Sequence, residues 1–184
     1  MAKLKASKKR DFAMPPLDDI KALKFEDPVA QFMQTCREMG CTVVEADSLA
    51  DVDKVIKELF PDAKKIASNL PEVKSATIDP DKVSAVELDG TDVGVIPGYF
   101  GVAENGCIWV PQTMKEKAVC FISENLIIAM PKDAVNNMHE AYKRVEFNDY
   151  GYGAFISGPS KTADIAQVLV MGAQAARSLT VVLV

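Results

Sequence analysis

Two helix-like patterns, each followed directly by a short β-branched run, constrain the fold of this chain more than any other feature. In "DPVAQFMQTCREMG", Asp27 is placed to cap a helix and Pro28 suits its first position. Val29, Phe32, Met33 and Cys36 recur at helical spacing, and Gly40 suits a left-handed terminus. "CTVVEA" then reads as a strand. "SLADVDKVIKELF" repeats the plan, with Ser48 placed to cap, Asp51 three residues on, and Val52, Val55, Ile56 and Leu59 on one face. Pro61 ends that helix and "KKIASN" supplies a second short strand. Helix then strand, twice over, points to crossover units and a mainly parallel sheet in an α/β fold.

The middle of the chain is expected to be strand-rich, through "SAVEL", "VGVI", "GCIWVP", "AVCFIS" and "LIIAM". "PKDAVNNMHEAYKRVEF" reads as a helix with Val135, Met138, Tyr142 and Val145 inward, and with His139 on the edge of that face as an ordinary surface residue. Ala154–Ile156 is a further apolar run. After "SGPS" the spacing predicts a helix with Ile165, Val168, Leu169 and Gly172 on one face and Val170 and Met171 on the others, so buried on several sides. "SLTVVLV" closes the chain as a strand inside the sheet. A length of 184 residues suits one sizeable core, so residues 26 to 184 are expected to form a single domain. Residues 1 to 25 carry "MPP" and the basic cluster Lys3, Lys5, Lys8, Lys9 and Arg10, and are expected to be a solvated, mobile tail.

The net charge of −5 argues against nucleic acid, whose phosphates demand basic clusters on the folded surface. "DFAMPPLDDIKALKFED" interrupts any signal-like apolar core, and no run approaches the roughly 18 apolar residues of a membrane span, so a cytoplasmic location is expected. Cysteines stand at 36, 41, 107 and 120 without a C-x-x-C pair, and one histidine accompanies them. Zinc and iron–sulfur sites need several closely spaced ligands, so free and mostly buried thiols are expected, with no metal or cofactor bound.

Two stretches carry chemistry. In "FISGPSKTADIAQVL", Gly158 permits a sharp turn, Ser160 and Thr162 are both placed to cap the expected helix, and Asp164 complements its dipole. Amides at such a helix start, with the two hydroxyls and Lys161, could hold a carboxylate or phosphate. The same hydroxyls could instead satisfy those amides. In "GVAENG", Glu104 stands between the small residues Ala103 and Gly106. Its carboxylate could act as nucleophile, base or polar hook, or could simply accept backbone amides.

Together the two stretches resemble the lactate utilization protein C family (LutC-type, LUD domain). "GVAENG" is similar to that family's G-I-A-E-T-G segment. "GPSKTADIAQVLVMGAQAARSLTVVLV" is similar to its GPS-x-TADIE … G-x-HGP … L-x-V-x-L segment. The resemblance runs from about residue 25 to 184. It implies a three-layer α/β fold like that of ribose-5-phosphate isomerase, glucosamine-6-phosphate deaminase and CoA transferases (NagB/RpiA/CoA-transferase-like). It also implies an accessory role in bacterial oxidation of L-lactate to pyruvate. A cysteine-rich protein and a ferredoxin-like LUD protein would be partners and would carry the iron–sulfur clusters. Glu104 would be the catalytic candidate, and Asn105, Gly158, Ser160, Lys161, Thr162 and Asp164 would bind a small anionic ligand such as a carboxylate.

This chain departs from the pattern at three places. Ala166 replaces the acidic residue after "TADI", Gln174–Ala176 replace "HGP", and Asn105 replaces Thr. A site that used the missing Glu and His for proton transfer has lost both, which favours a non-catalytic ligand-binding or scaffold role as the alternative. A CoA-transferase-like enzyme with Glu104 as nucleophile is a further alternative, since "AENG" resembles the Glu-Asn-Gly segment of that superfamily. Against it, whole CoA transferases use two related halves. Metal analysis of the purified, colourless chain is expected to find no stoichiometric iron or zinc, and about one ion per chain would contradict this.

Overall fold

The structure is a computed structural model, and it describes residues 13, 16, 20–146, 151–164 and 167–184. The basic cluster Lys3, Lys5, Lys8, Lys9 and Arg10 of the expected tail therefore lies outside the described residues, as do Ile165 and Ala166. Nearer the domain, the Phe25 amide donates to Asn136 Oδ1 (2.8 Å) and Asn137 Nδ2 donates to the Leu23 carbonyl (2.9 Å).

Both opening helix–strand units form. Helix α1 (Pro28–Glu38) begins where Asp27 Oδ1 accepts from the Ala30 amide (2.9 Å). It ends in a Schellman motif: the Cys41 amide bonds the Cys36 carbonyl (2.9 Å) and the Gly40 amide bonds the Arg37 carbonyl (3.0 Å). Gly40 takes φ +92°, the left-handed conformation that this motif requires. Strand β1 (Thr42–Glu45) follows. A 3-10 turn (Leu49–Asp51) capped by Ser48 then leads into helix α2 (Val52–Leu59) and strand β2 (Ile66–Ala67).

Strands β1, β2, β3 (Val93–Pro97), β6 (Asn125–Met130) and β11 (Ser178–Leu183) make one all-parallel sheet in the order β1-β11-β6-β3-β2. Alternate residues serve opposite faces. Leu126, Ile128, Met130, Leu179, Val181 and Leu183 join one core with Phe32 and Cys36 of α1. Ile127, Ala129 and Val182, with Val93 and Val95, pack on Val52, Val55 and Ile56 of α2. Burial on both faces explains why these strands read as continuous apolar runs. The fold is thus mixed α/β, with a mainly parallel central sheet flanked by helices, consistent with the expected three-layer arrangement.

A second sheet covers the α1 side and is not evident from the sequence. It runs β7-β4-β5-β8, from β4 (Phe100–Val102), β5 (Cys107–Pro111), β7 (Ala134–Val135) and β8 (Gly153–Ile156). Ile108 and Val110 face the central sheet, whereas Phe100, Val102 and Trp109 face the other way with Ala141 of helix α4 (Met138–Arg144). Trp109 packs on Phe155 at 4.8 Å between ring centroids.

Four expectations are corrected. "SAVEL" is a 3-10 turn (Ala85–Leu88) rather than a strand, because the Glu87 carboxylate accepts from the Ser84 amide (3.0 Å) and hydroxyl (2.9 Å). "AVCFIS" contains the short helix α3 (Val119–Ile122), turned so that Val119 and Cys120 are buried while Phe121 and Ile122 face outward. Helix α4 starts late, at the Asn137 cap, because Ala134 and Val135 pair with β4. Tyr142 is consequently 67% exposed rather than inward, although its ring leans on Phe155.

The fourth correction is the helix expected after "SGPS". Lys161–Thr162 (β9) instead pairs antiparallel with Val170–Met171 (β10) as a two-stranded ribbon. Gln167 adopts φ +56°, and Val168 and Leu169 are more than 60% exposed. A short helix draws its stability from packing one face, and Val168, Leu169, Val170 and Met171 are all exposed here.

One close approach in the core is between α1 and β4. A Cβ on Gly101 would lie 2.6 Å from the ring of Phe32, which is fully buried. Gly101→Ala should therefore destabilise the domain by about 1–3 kcal/mol, read as a lower urea midpoint at unchanged slope. An unchanged midpoint would show that the Phe32 ring can retreat.

Candidate functional site

A cavity of about 560 Å³ opens at one end of the molecule. Its polar wall is the loop that leaves β8, Ser157 to Ser160, continuing into Lys161. Gln174, Ala175 and Ala176, which lead into β11, form an adjoining part of the wall. Leu126 of β6 and Leu179 of β11, with Phe155 and Ile156, make an apolar floor, and Cys120 and Phe121 of α3 close one side. Backbone bonds brace the walls: the Ser160 amide donates to the Ala176 carbonyl (2.9 Å), and the Gly172 amide donates to the Ser160 carbonyl (2.9 Å).

The cavity's position differs from the usual one. Open parallel sheets bind ligands beyond the carboxyl ends of their strands. Leu126 and Leu179 are each the second residue of their strands, so this cavity lies at the amino ends of β6 and β11. The loop reaches it because it follows the carboxyl end of β8, which belongs to the second sheet.

Three of the residues expected to bind an anion, Gly158, Ser160 and Lys161, line the cavity. Lys161 Nζ donates to the Met39 carbonyl at the end of α1. An ammonium has three donors, so two remain. Thr162 and Asp164 lie on or beside the ribbon, outside the cavity lining, where the Thr162 hydroxyl donates to the Asp164 carboxylate. Among the described residues there is no helix after Ser160, so neither Ser160 nor Thr162 is seen to cap one.

Glu104 and Asn105 sit in the β4–β5 turn and do not line the cavity. Glu104 Oε1 accepts from the Met138 amide (2.8 Å) and the Glu104 amide donates to the Asn136 carbonyl (3.1 Å), fastening the turn to the start of α4. Asn105 Oδ1 accepts from the Cys107 amide (3.1 Å), closing the turn on itself. The two motif stretches nevertheless touch, since the Ser157 hydroxyl donates to the Asn105 carbonyl (2.8 Å). Between them stands Cys107, half-buried beside Ser157 and Glu104. Burial pushes its thiol above the ordinary range, with the Glu104 charge adding to that and the Ser157 hydrogen bond opposing it.

Sequence reasoning missed the apolar floor and the α3 side. Leu126 and Leu179 look like any other strand residues, and Cys120 and Phe121 fall in a stretch whose alternation suggests a strand. Gln174 is legible only as a departure from the family pattern.

Residues 80–184, more than half of the chain, match the LUD domain. The chain belongs to the LUD domain family. That family is linked to lactate utilization in general. This LUD domain also resembles in fold the crystal structure of a DUF162 family protein from Deinococcus radiodurans, with a TM-score of 0.61 and 16% identity over 88% of this chain and 98% of that one. No curated protein matches the sequence. Among the described residues no helix is long and apolar enough to cross a membrane.

The geometry at Glu104 makes a prediction. Glu104→Ala removes the acceptor for the Met138 amide and should cost about 1–3 kcal/mol, whereas Glu104→Gln keeps one acceptor oxygen and should cost less. Equal losses in urea unfolding for the two variants would show that the charge, not the hydrogen bond, matters.

Proposed function

We propose that this LUD domain binds a small carboxylate in the cavity and serves as an accessory subunit of an L-lactate-oxidising complex. A cysteine-rich protein and a ferredoxin-like LUD protein carry the iron–sulfur clusters of that complex. The observation that supports this reading is that the loop bearing the family motif, Gly158 to Lys161, is itself the polar wall of the cavity. The Ser160 hydroxyl and the Gln174 amide make no hydrogen bond to other described side chains, and Lys161 adds positive charge. An apolar floor beneath a few convergent polar groups is the usual build of a small-molecule site.

The role is binding rather than acid–base catalysis. Glu104 is the acidic residue that the motif supplies, and its carboxylate is committed to the Met138 amide instead of facing the cavity. Where the family pattern has a histidine, Gln174 offers donors and an acceptor but no titratable proton. The same placement of Glu104 disfavours a CoA-transferase-like reaction, which needs that carboxylate exposed to substrate.

Calorimetric titration of the purified chain with L-lactate and with pyruvate should give saturable binding. Ser160→Ala combined with Gln174→Ala should weaken it at least tenfold without changing the melting curve. The chain should also co-purify with the two iron–sulfur partners when the three are expressed together. Absence of carboxylate binding would remove the ligand, and failure to co-purify would leave a free-standing binding protein.

A further inference from the structure

The cavity is larger than its polar groups require. At roughly 30 Å³ per non-hydrogen atom, the share that liquid water gives its oxygen, lactate or pyruvate would fill only about a third of the 560 Å³. The lining also divides by depth. Ser160 is half-buried and Lys161 and Gln174 are exposed, so the polar groups stand at the rim. Leu126, Leu179 and Cys120 are buried, and Phe155 and Ile156 half-buried, so the interior is apolar.

Helix α3 extends that apolar surface. Phe121 is 40% exposed although its neighbour Cys120 is buried. Both residues also line a smaller hollow with Met114 and Tyr152, so apolar surface continues from the cavity past α3.

We infer that the ligand is a monocarboxylate with an apolar tail of several carbons, held by its head at the Ser160–Lys161–Gln174 rim with its tail across the floor against Phe121. This rests on the carboxylate reading above and names the class of acid.

Lactate offers the floor a single methyl. Phe121, Phe155 and Ile156 would then stay in contact with water, and apolar area left wet contributes nothing to binding. A wall without partner atoms also forfeits its dispersion contacts. A tail supplies both terms, and each methylene moved from water onto the floor is worth up to about fourfold in affinity. By the same measure of volume, 2-hydroxyoctanoate would fill about three-fifths of the space.

The lining also disfavours other acids. Among the described lining residues Lys161 is the one cation, so a second carboxylate deeper in the cavity would be desolvated without a partner. The hydroxyls of a sugar acid would go unpaired on the same floor, at a cost for each.

Calorimetric titration of the full chain with lactate, 2-hydroxybutanoate, 2-hydroxyhexanoate and 2-hydroxyoctanoate tests this, with 1,2-octanediol as the analogue that lacks the carboxylate. Affinity should rise along the series, by at least thirtyfold from lactate to 2-hydroxyoctanoate, and the diol should bind at least tenfold more weakly than the acid. Phe121→Ala should narrow the ratio between 2-hydroxyoctanoate and lactate at least threefold. Ala175→Leu, which fills part of the cavity, should narrow it too, and either variant carries the test if the other does not fold. A flat series, or a ratio that a folded variant leaves unchanged, would overturn the inference and leave the carboxylate site standing. A diol that binds as tightly as the acid, or no binding by any of the acids, would overturn that site and the inference with it.

Discussion

Strand β11 holds the central sheet together. It is the last strand in the sequence, yet it lies between β1 and β6, pairing Thr42–Glu45 on one side and Asn125–Met130 on the other. Val181, Val182 and Leu183 are fully buried, so both faces of the strand contribute apolar area. Pairing across so much intervening chain carries a loop-closure cost that grows only slowly with length, and double-sided burial offsets it. Without β11 the strand β1 would have no partner, and α1 would lose the surface its inner face packs on. The entrance to β11 also forms a wall of the cavity, through Ala176 and Leu179. Site and sheet are therefore set by the same pairing.

Legibility followed the source of each element's stability. The units Pro28–Glu45 and Leu49–Ala67 were readable because capping residue, one-sided apolar face and terminator all agree. β3, β6 and β11 were readable as buried runs. The second sheet was not, because β4 and β7 are three and two residues long and exist only through pairing with each other and with β5. At Ala85–Leu88 the sequence held the right signal, Ser followed three residues later by Glu, but apolar alternation suggested a strand. At 161–162 and 170–171 an apolar helical pattern gave way to a two-stranded ribbon whose Val170 and Met171 are exposed.

The candidate site shows the same division. The family resemblance implied a ligand site at Gly158, Ser160, Lys161, Thr162 and Asp164, and of these the first three line the cavity. What the sequence could not show is which sheet the loop leaves. Because β8 runs in the second sheet, its carboxyl end delivers the loop to the amino ends of β6 and β11. The other motif, "GVAENG", lies outside the cavity lining and is hydrogen-bonded to the loop where the Ser157 hydroxyl donates to the Asn105 carbonyl. Adjacent in space, the two stretches divide the work, one presenting polar groups to the cavity and the other fixing the start of α4.

This arrangement makes Lys161 a shared group. Its ammonium complements the carbonyl end of α1, where cations are favoured, and its stem borders the cavity. Swinging the charge fully into the cavity would strip the Met39 carbonyl of its donor, while leaving it in place presents only the remaining two donors to a ligand. A carboxylate bound as proposed would therefore compete with the terminus of α1 for one cation. The packing of Gly158 against that terminus leaves little slack to resolve the competition by moving the loop. Any anion bound at this wall as proposed would thus be tied to the geometry of residues 39 to 41, far away in sequence and one van der Waals layer away in space.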